Sequence, residues 1–121
     1  MSEIPAITSD IRPDMVIVHI DVPNFDAINT VHVQAEINAL VEKTPTLPFI
    51  LNMEKVKYVP SLTLGALVQF ANEFRAREQL LILCSLRPTI RKVIELTHLD
   101  RIIEIATDVP TAIEIAKPKK I

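Results

Sequence analysis

Nine prolines and a single glycine, Gly65, punctuate this chain of 121 residues. Proline breaks helix interiors and central strands but is tolerated in turns and at element starts. Eight of the nine fall between apolar segments or at the first position of one, so they mark where elements end. The near-absence of glycine excludes a glycine-rich phosphate cradle, and neither GxGxxG nor GxxxxGK[ST] occurs.

Between these marks the chain reads as alternating strands and helices. Residues 4–9 suggest a short strand ended by a turn over Asp10 to Asp14. Met15 to Ile20, M-V-I-V-H-I, is nearly continuous and β-branched, which suits a strand buried on both faces. Asp26 is a natural N-cap for a helix to about Lys43, with Val33, Ile37, Leu40 and Val41 on one face. Phe49 to Met53 is the next strand, and Val56 to Val59 extends or neighbours it. From Ser61 to about Arg77, Leu64, Leu67, Val68, Ala71 and Phe74 make a second apolar stripe. Leu80 to Cys84 is a buried strand, and Pro88 opens a helix whose core side is Ile90, Val93, Ile94 and Leu96 or Thr97. Arg101 to Ala106 supplies a last strand. Asp108 and Pro110 open a terminal helix carrying Ala112, Ile113 and Ala116. The order ββαβαβαβα predicts an α/β fold, a small, mainly parallel sheet with an antiparallel edge pair from the opening hairpin and about four helices.

The length fits one domain, residues 1–121, and 49% hydrophobic residues supply its core. A net charge of −2 and 4% aromatics argue against a nucleic-acid binder. The charge is uneven along the chain. Residues 1–54 carry eight acids and two bases, residues 55–121 seven acids and eleven bases. Such a split favours a charged protein partner if it persists in space. No apolar run reaches the ~18 residues of a membrane span, and no signal-peptide pattern opens the chain. A cytoplasmic protein with no membrane insertion is expected, with Lys117 to Lys120 as a solvated basic tail.

Residues able to carry catalysis do not converge. His19, His32 and His98 have no metal-ligand spacing, and the lone Cys84 sits in an apolar strand without a neighbouring base. The expectation is therefore a protein that is not an enzyme, without cofactor or metal.

The stretch Ile50 to Leu67, I-L-N-M-E-K-V-K-Y-V-P-S-L-T-L-G-A-L, resembles the STAS domain family of anti-sigma factor antagonists. Their pattern is h-L-[ND]-h, then h-x-[YF]-[IMV], then D-S-[ST]-G-L-G-x-L. Asn52, Met53, Val56, Tyr58, Val59, Ser61, Leu64, Gly65 and Leu67 fall in register with it. A second family pattern is met by Pro88, Ile90, Val93, Ile94, Leu96, Thr97, Leu99, Arg101, Ile102 and Ile103, and D-x-P-T-A-I is similar to the family's last helix start. The likeness covers about residues 15–116.

The resemblance implies a bacterial regulator of transcription, a phosphoprotein in signal transduction. Ser61 is its implied phosphoacceptor, with Thr63 as a second hydroxyl, and Tyr58, Pro60, Ser61, Leu62, Thr63 and Gly65 are the implied partner surface. The implied partner is an anti-sigma factor or serine kinase, or a STAS-containing assembly, and a homodimer is compatible. The alternative is a constitutive scaffold or transporter-associated subunit. The chain departs from the pattern where Pro60 replaces Asp, Leu62 the second hydroxyl and Thr63 the first Gly. His98 replaces the Gly after Thr97, so φ > 0 is expected there. Gly65, one turn into its helix, is expected to let that helix sit close against the sheet, so that Gly65→Leu would overpack.

Overall fold

A computed structural model describes residues 6–118. Its strands are β1 (Ile7–Ile11), β2 (Val16–Ile20), β3 (Phe49–Asn52), β4 (Leu81–Cys84) and β5 (Glu104–Ala106). Its helices are α1 (Ala27–Lys43), α2 (Ser61–Ala76), α3 (Pro88–Leu96) and α4 (Val109–Ala116), with a 3-10 turn at Leu99–Arg101. The five strands lie in chain order across one sheet. β1 runs antiparallel to β2, and the other three pairings are parallel. This is the ββαβαβαβα order expected from the sequence.

Side-chain alternation splits the core into two layers. Val16, Val18, Ile20, Phe49, Leu51 and Leu83 face Val33 and Ile37 of α1, Leu67 and Phe74 of α2, and Ile90 and Ile94 of α3. Met15, Ile17, Ile50, Ile82 and Cys84 face the other way, against Ala112 and Ala116 of α4. The central strands are buried along their whole length, which is why they read as unbroken apolar runs.

Asp26 and Asp108 cap their helices as expected, accepting from the amides of Asn29 (2.9 Å) and Thr111 (2.8 Å). Hydrogen bonds from the Thr111 side chain and, second, its backbone amide hold the Asp108 carboxyl below its usual range. Four details depart from the sequence reading. β1 continues through Asp10 and Ile11, because the turn closes later, with Arg12 N–H donating to Met15 O (2.8 Å); residues 4 and 5 of the expected strand lie outside the described residues, as do Lys119 and Lys120 of the tail. Val56 to Val59 is not a strand. The last strand shrinks to three residues because Leu99–Arg101 turns instead. On α3 only Ile90 and Ile94 are buried while Leu96 is exposed, since only one flank of this nine-residue helix meets the core.

Burial in the second layer pushes the Cys84 thiol up to about 11 from 9.0, opposed in part by a hydrogen bond with Ser85. An unfolded chain ionises this thiol near 9, the folded one only near 11. Between these values the unfolded state holds fewer protons, so stability is fully present below pH 9 and falls as pH rises toward 11. Chemical denaturation across this range should show a decline that Cys84→Val flattens; equal slopes in the two proteins would remove Cys84 as its source.

Candidate functional site

The segment leaving β3 is held by backbone pairing, not by a further strand. Met53 N–H donates to Cys84 O (3.0 Å) and Val56 N–H turns back to Met53 O (3.0 Å), with both side chains fully buried. Lys57 and Tyr58 N–H both donate to Pro23 O (2.7 and 3.1 Å), and Phe25 N–H donates to Tyr58 O (3.0 Å). The loop before α2 is thereby zipped to the loop before α1.

Pro60, extended at φ −73° and ψ 165°, is the N-cap of α2, and no side chain caps that end. Ser61 is the first helical residue and is exposed. Its hydroxyl is thus not committed to a cap. The first turn of α2 carries no acidic residue, which leaves the positive dipole end uncompensated.

Thr63 has the opposite fate. It is fully buried, its hydroxyl donates to Phe25 O, and it lies 2.8 Å from the Thr30 hydroxyl. Thr30 in turn donates to Asp26 O (2.6 Å). With the Thr63 proton on Phe25 O, the Thr30 proton is shared between Asp26 O and the Thr63 oxygen, so neither hydroxyl has a proton to spare. The expectation of Thr63 as a second acceptor and surface contact is corrected: its hydroxyl ties the first turns of α1 and α2 together inside the protein.

That tie brings exposed apolar side chains to the same end of the molecule. Tyr58 is 57% exposed and Leu62 62%, and on α1 Ile28 is 71% and Val31 64%. Ile28 and Val31 were not anticipated. Their signal was present in the sequence, since both lie off the stripe of Thr30, Val33, Ile37 and Val41 that α1 buries. Gly65 is exposed, and an added Cβ would meet nothing within 4 Å. The expected close approach of α2 at Gly65 is therefore absent, because that position faces away from the sheet.

His19, half-buried on β2, accepts at Nδ1 from Asn52 Nδ2 (2.9 Å), a satisfied pair across two strands. Among the described residues no group of three or more His, Cys, Asp or Glu could hold a metal ion, and no helix is long and apolar enough to cross a membrane.

Solved structures of the same fold include a Thermotoga maritima protein described as an anti-sigma factor antagonist, 22% identical over 93% of this chain and 95% of that one, with a TM-score of 0.82. An anti-sigma-factor antagonist (STAS) domain protein from Planctomyces limnophilus matches at 14% identity over 95% of this chain and all of its own, TM-score 0.83. The Bacillus cell fate determinant SpoIIAA in its phosphorylated form matches at 21% identity, 93% and 100% coverage, TM-score 0.70. The family model for the STAS domain matches residues 6–112, and the chain belongs to the STAS domain family.

Proposed function

We propose that this protein is a regulatory module that binds a protein partner of the anti-sigma factor or serine-kinase type, and that phosphorylation of Ser61 releases it. The observation that carries this reading is Ser61 itself: exposed, unused as a cap, first in a 16-residue helix and neighboured by exposed Tyr58 and Leu62. A phosphate there adds a charge of about −1.5 to −2 beside free amides and a positive dipole end, so the free protein tolerates it. In a bound state the same charge would sit among Ile28, Val31, Tyr58 and Leu62, where desolvation without a paired cation is unfavourable.

Mass spectrometry after incubation with a cognate kinase is the test, with Ser61→Ala as control. One phosphate on the wild type and none on Ser61→Ala is expected; an unmodified wild type overturns the switch. Pro60, where the family pattern has an acid, favours a second reading as a constitutive scaffold or transporter-associated subunit. Copurification of a membrane ATPase or a large homomeric particle would support it.

A further inference from the structure

β1 is an outer strand of the sheet, and among the described residues no strand pairs along its far side. In an antiparallel ladder, residues whose backbone groups point at the neighbouring strand alternate with residues whose groups point away. The register with β2 and two flanking bonds, Asp21 N–H to Ala6 O and Arg12 N–H to Met15 O (both 2.8 Å), put Thr8 and Asp10 in the first set. Ile7, Ser9 and Ile11 are therefore the second set, and each turns one N–H and one C=O to the open edge. The usual guards against edge pairing are missing. β1 has no Lys, Pro or bulge, and its one charged residue, Asp10, is paired with Arg12 (3.0 Å). On the α1 side of this edge runs a groove of about 270 Å³, lined by Ile7, Ser9, Glu36, Ala39, Leu40 and Lys43 and balanced in charge. Ile11 shares that face by alternation and is 51% exposed.

We propose that β1 pairs antiparallel with β1 of a second copy of this chain, about a two-fold axis at Ser9. The sequence I-T-S-D-I is self-complementary in that arrangement. Ser9 is the middle of the three outward residues, so the axis sets Ser9 opposite Ser9 and Ile7 opposite Ile11. The outward groups of each copy, two on each of three residues, are then all bonded, and the two five-stranded sheets become continuous. Side chains of opposite residues share a sheet face. Ile11 of each copy therefore lies against Ile7 of the other, at the mouth of the groove whose walls include Ala39 and Leu40. Asp10 comes opposite Thr8, so no like charges meet directly, and a groove with one acid and one base does not repel a copy of itself. A foreign strand would find the same free amides, but the chain itself supplies an exposed apolar residue in the register the groove requires. The contact uses the second half of α1, while Ile28 and Val31 lie in its first turns, so each copy keeps the surface around Ser61.

Sedimentation and amide hydrogen exchange of the full chain from about 10 µM to about 1 mM test this, since an edge this short falls below the roughly 800 Å² per partner of a tight interface. Monomer should give way to dimer as concentration rises. The amides of Ile7, Ser9 and Ile11 should become protected only in the dimer, whereas those of Thr8 and Asp10, which face β2, should be protected throughout. Ser9→Pro, tolerated where the N–H faces outward, and Ile11→Lys, which places a charge on the edge, should each weaken the dimer at least about tenfold with resonances beyond β1 unchanged. Should the proline variant fail to fold, Ile11→Lys, at an exposed side chain, decides alone. A monomer at the highest concentration, a dimer with Ile7, Ser9 and Ile11 unprotected, a dimer whose shifts fall at Tyr58 and Leu62, or one indifferent to Ile11→Lys would each overturn the proposal.

Discussion

Replacing Thr63 by valine should lower stability by about 2 kcal/mol, although the two side chains have nearly the same shape. The lost hydroxyl is the donor to Phe25 O inside a buried contact, and a buried carbonyl deprived of its donor forfeits about 1–3 kcal/mol. Thr30→Val should do less, under about 1 kcal/mol, because Asp26 O still receives the Thr30 backbone amide at 2.8 Å. The asymmetry is the discriminating result. Denaturant midpoints at equal slope measure it, and two equal losses would mean that the pair acts through packing alone. If the tie also sets the angle between α1 and α2, Thr63→Val should weaken partner binding beyond its effect on stability.

The same pair shows where sequence reading succeeds and where it fails. Helical phase was legible: Thr63 stands four residues before Leu67 and seven before Phe70, and Thr30 three before Val33 and seven before Ile37, so each heads a buried stripe. Chemistry argued the other way, since hydroxyls at helix starts are usually caps or surface groups. Phase was the better guide. Val56 to Val59 misled for the reverse reason. Its apolar, β-branched composition matches a strand, yet Val56 plugs the core from a turn and Tyr58 forms only an isolated bridge to Asn24. Strand β3 and strand β4, the Asp26 and Asp108 caps and the proline boundaries were legible because local composition and tertiary position agree there. At Ser61 the sequence located the residue, but only the backbone revealed that Pro60 occupies the cap and frees the hydroxyl.

Glycine is in the wrong places for stability, and moving it should raise the melting point. The chain's one glycine, Gly65, sits at an exposed helical position with room for a side chain, where Ala is preferred by about 0.5–1 kcal/mol. Meanwhile Glu78, Ser85 and His98 hold φ of 55°, 58° and 61°, the left-handed region that costs a residue with a Cβ about 1–2 kcal/mol. His98 is where φ > 0 was expected from the helix end. Glycine at such a site relieves that strain but returns about 0.4–1 kcal/mol through the freer unfolded chain, so each exchange nets a fraction of a kcal/mol. Ser85 is left alone because its side chain bonds to Cys84. The triple variant Gly65→Ala, Glu78→Gly, His98→Gly should therefore gain about 2 kcal/mol, roughly 6–8 °C in melting midpoint. The three sites lie well apart, with Gly65 near the start of α2, Glu78 past the far end of that helix and His98 past α3, so their effects should add. Calorimetry on the singles and the triple decides it. A loss at Gly65→Ala would mean that α2 does approach a neighbour there in solution, and a loss at His98→Gly would mean that the imidazole contributes contacts worth more than the strain it carries.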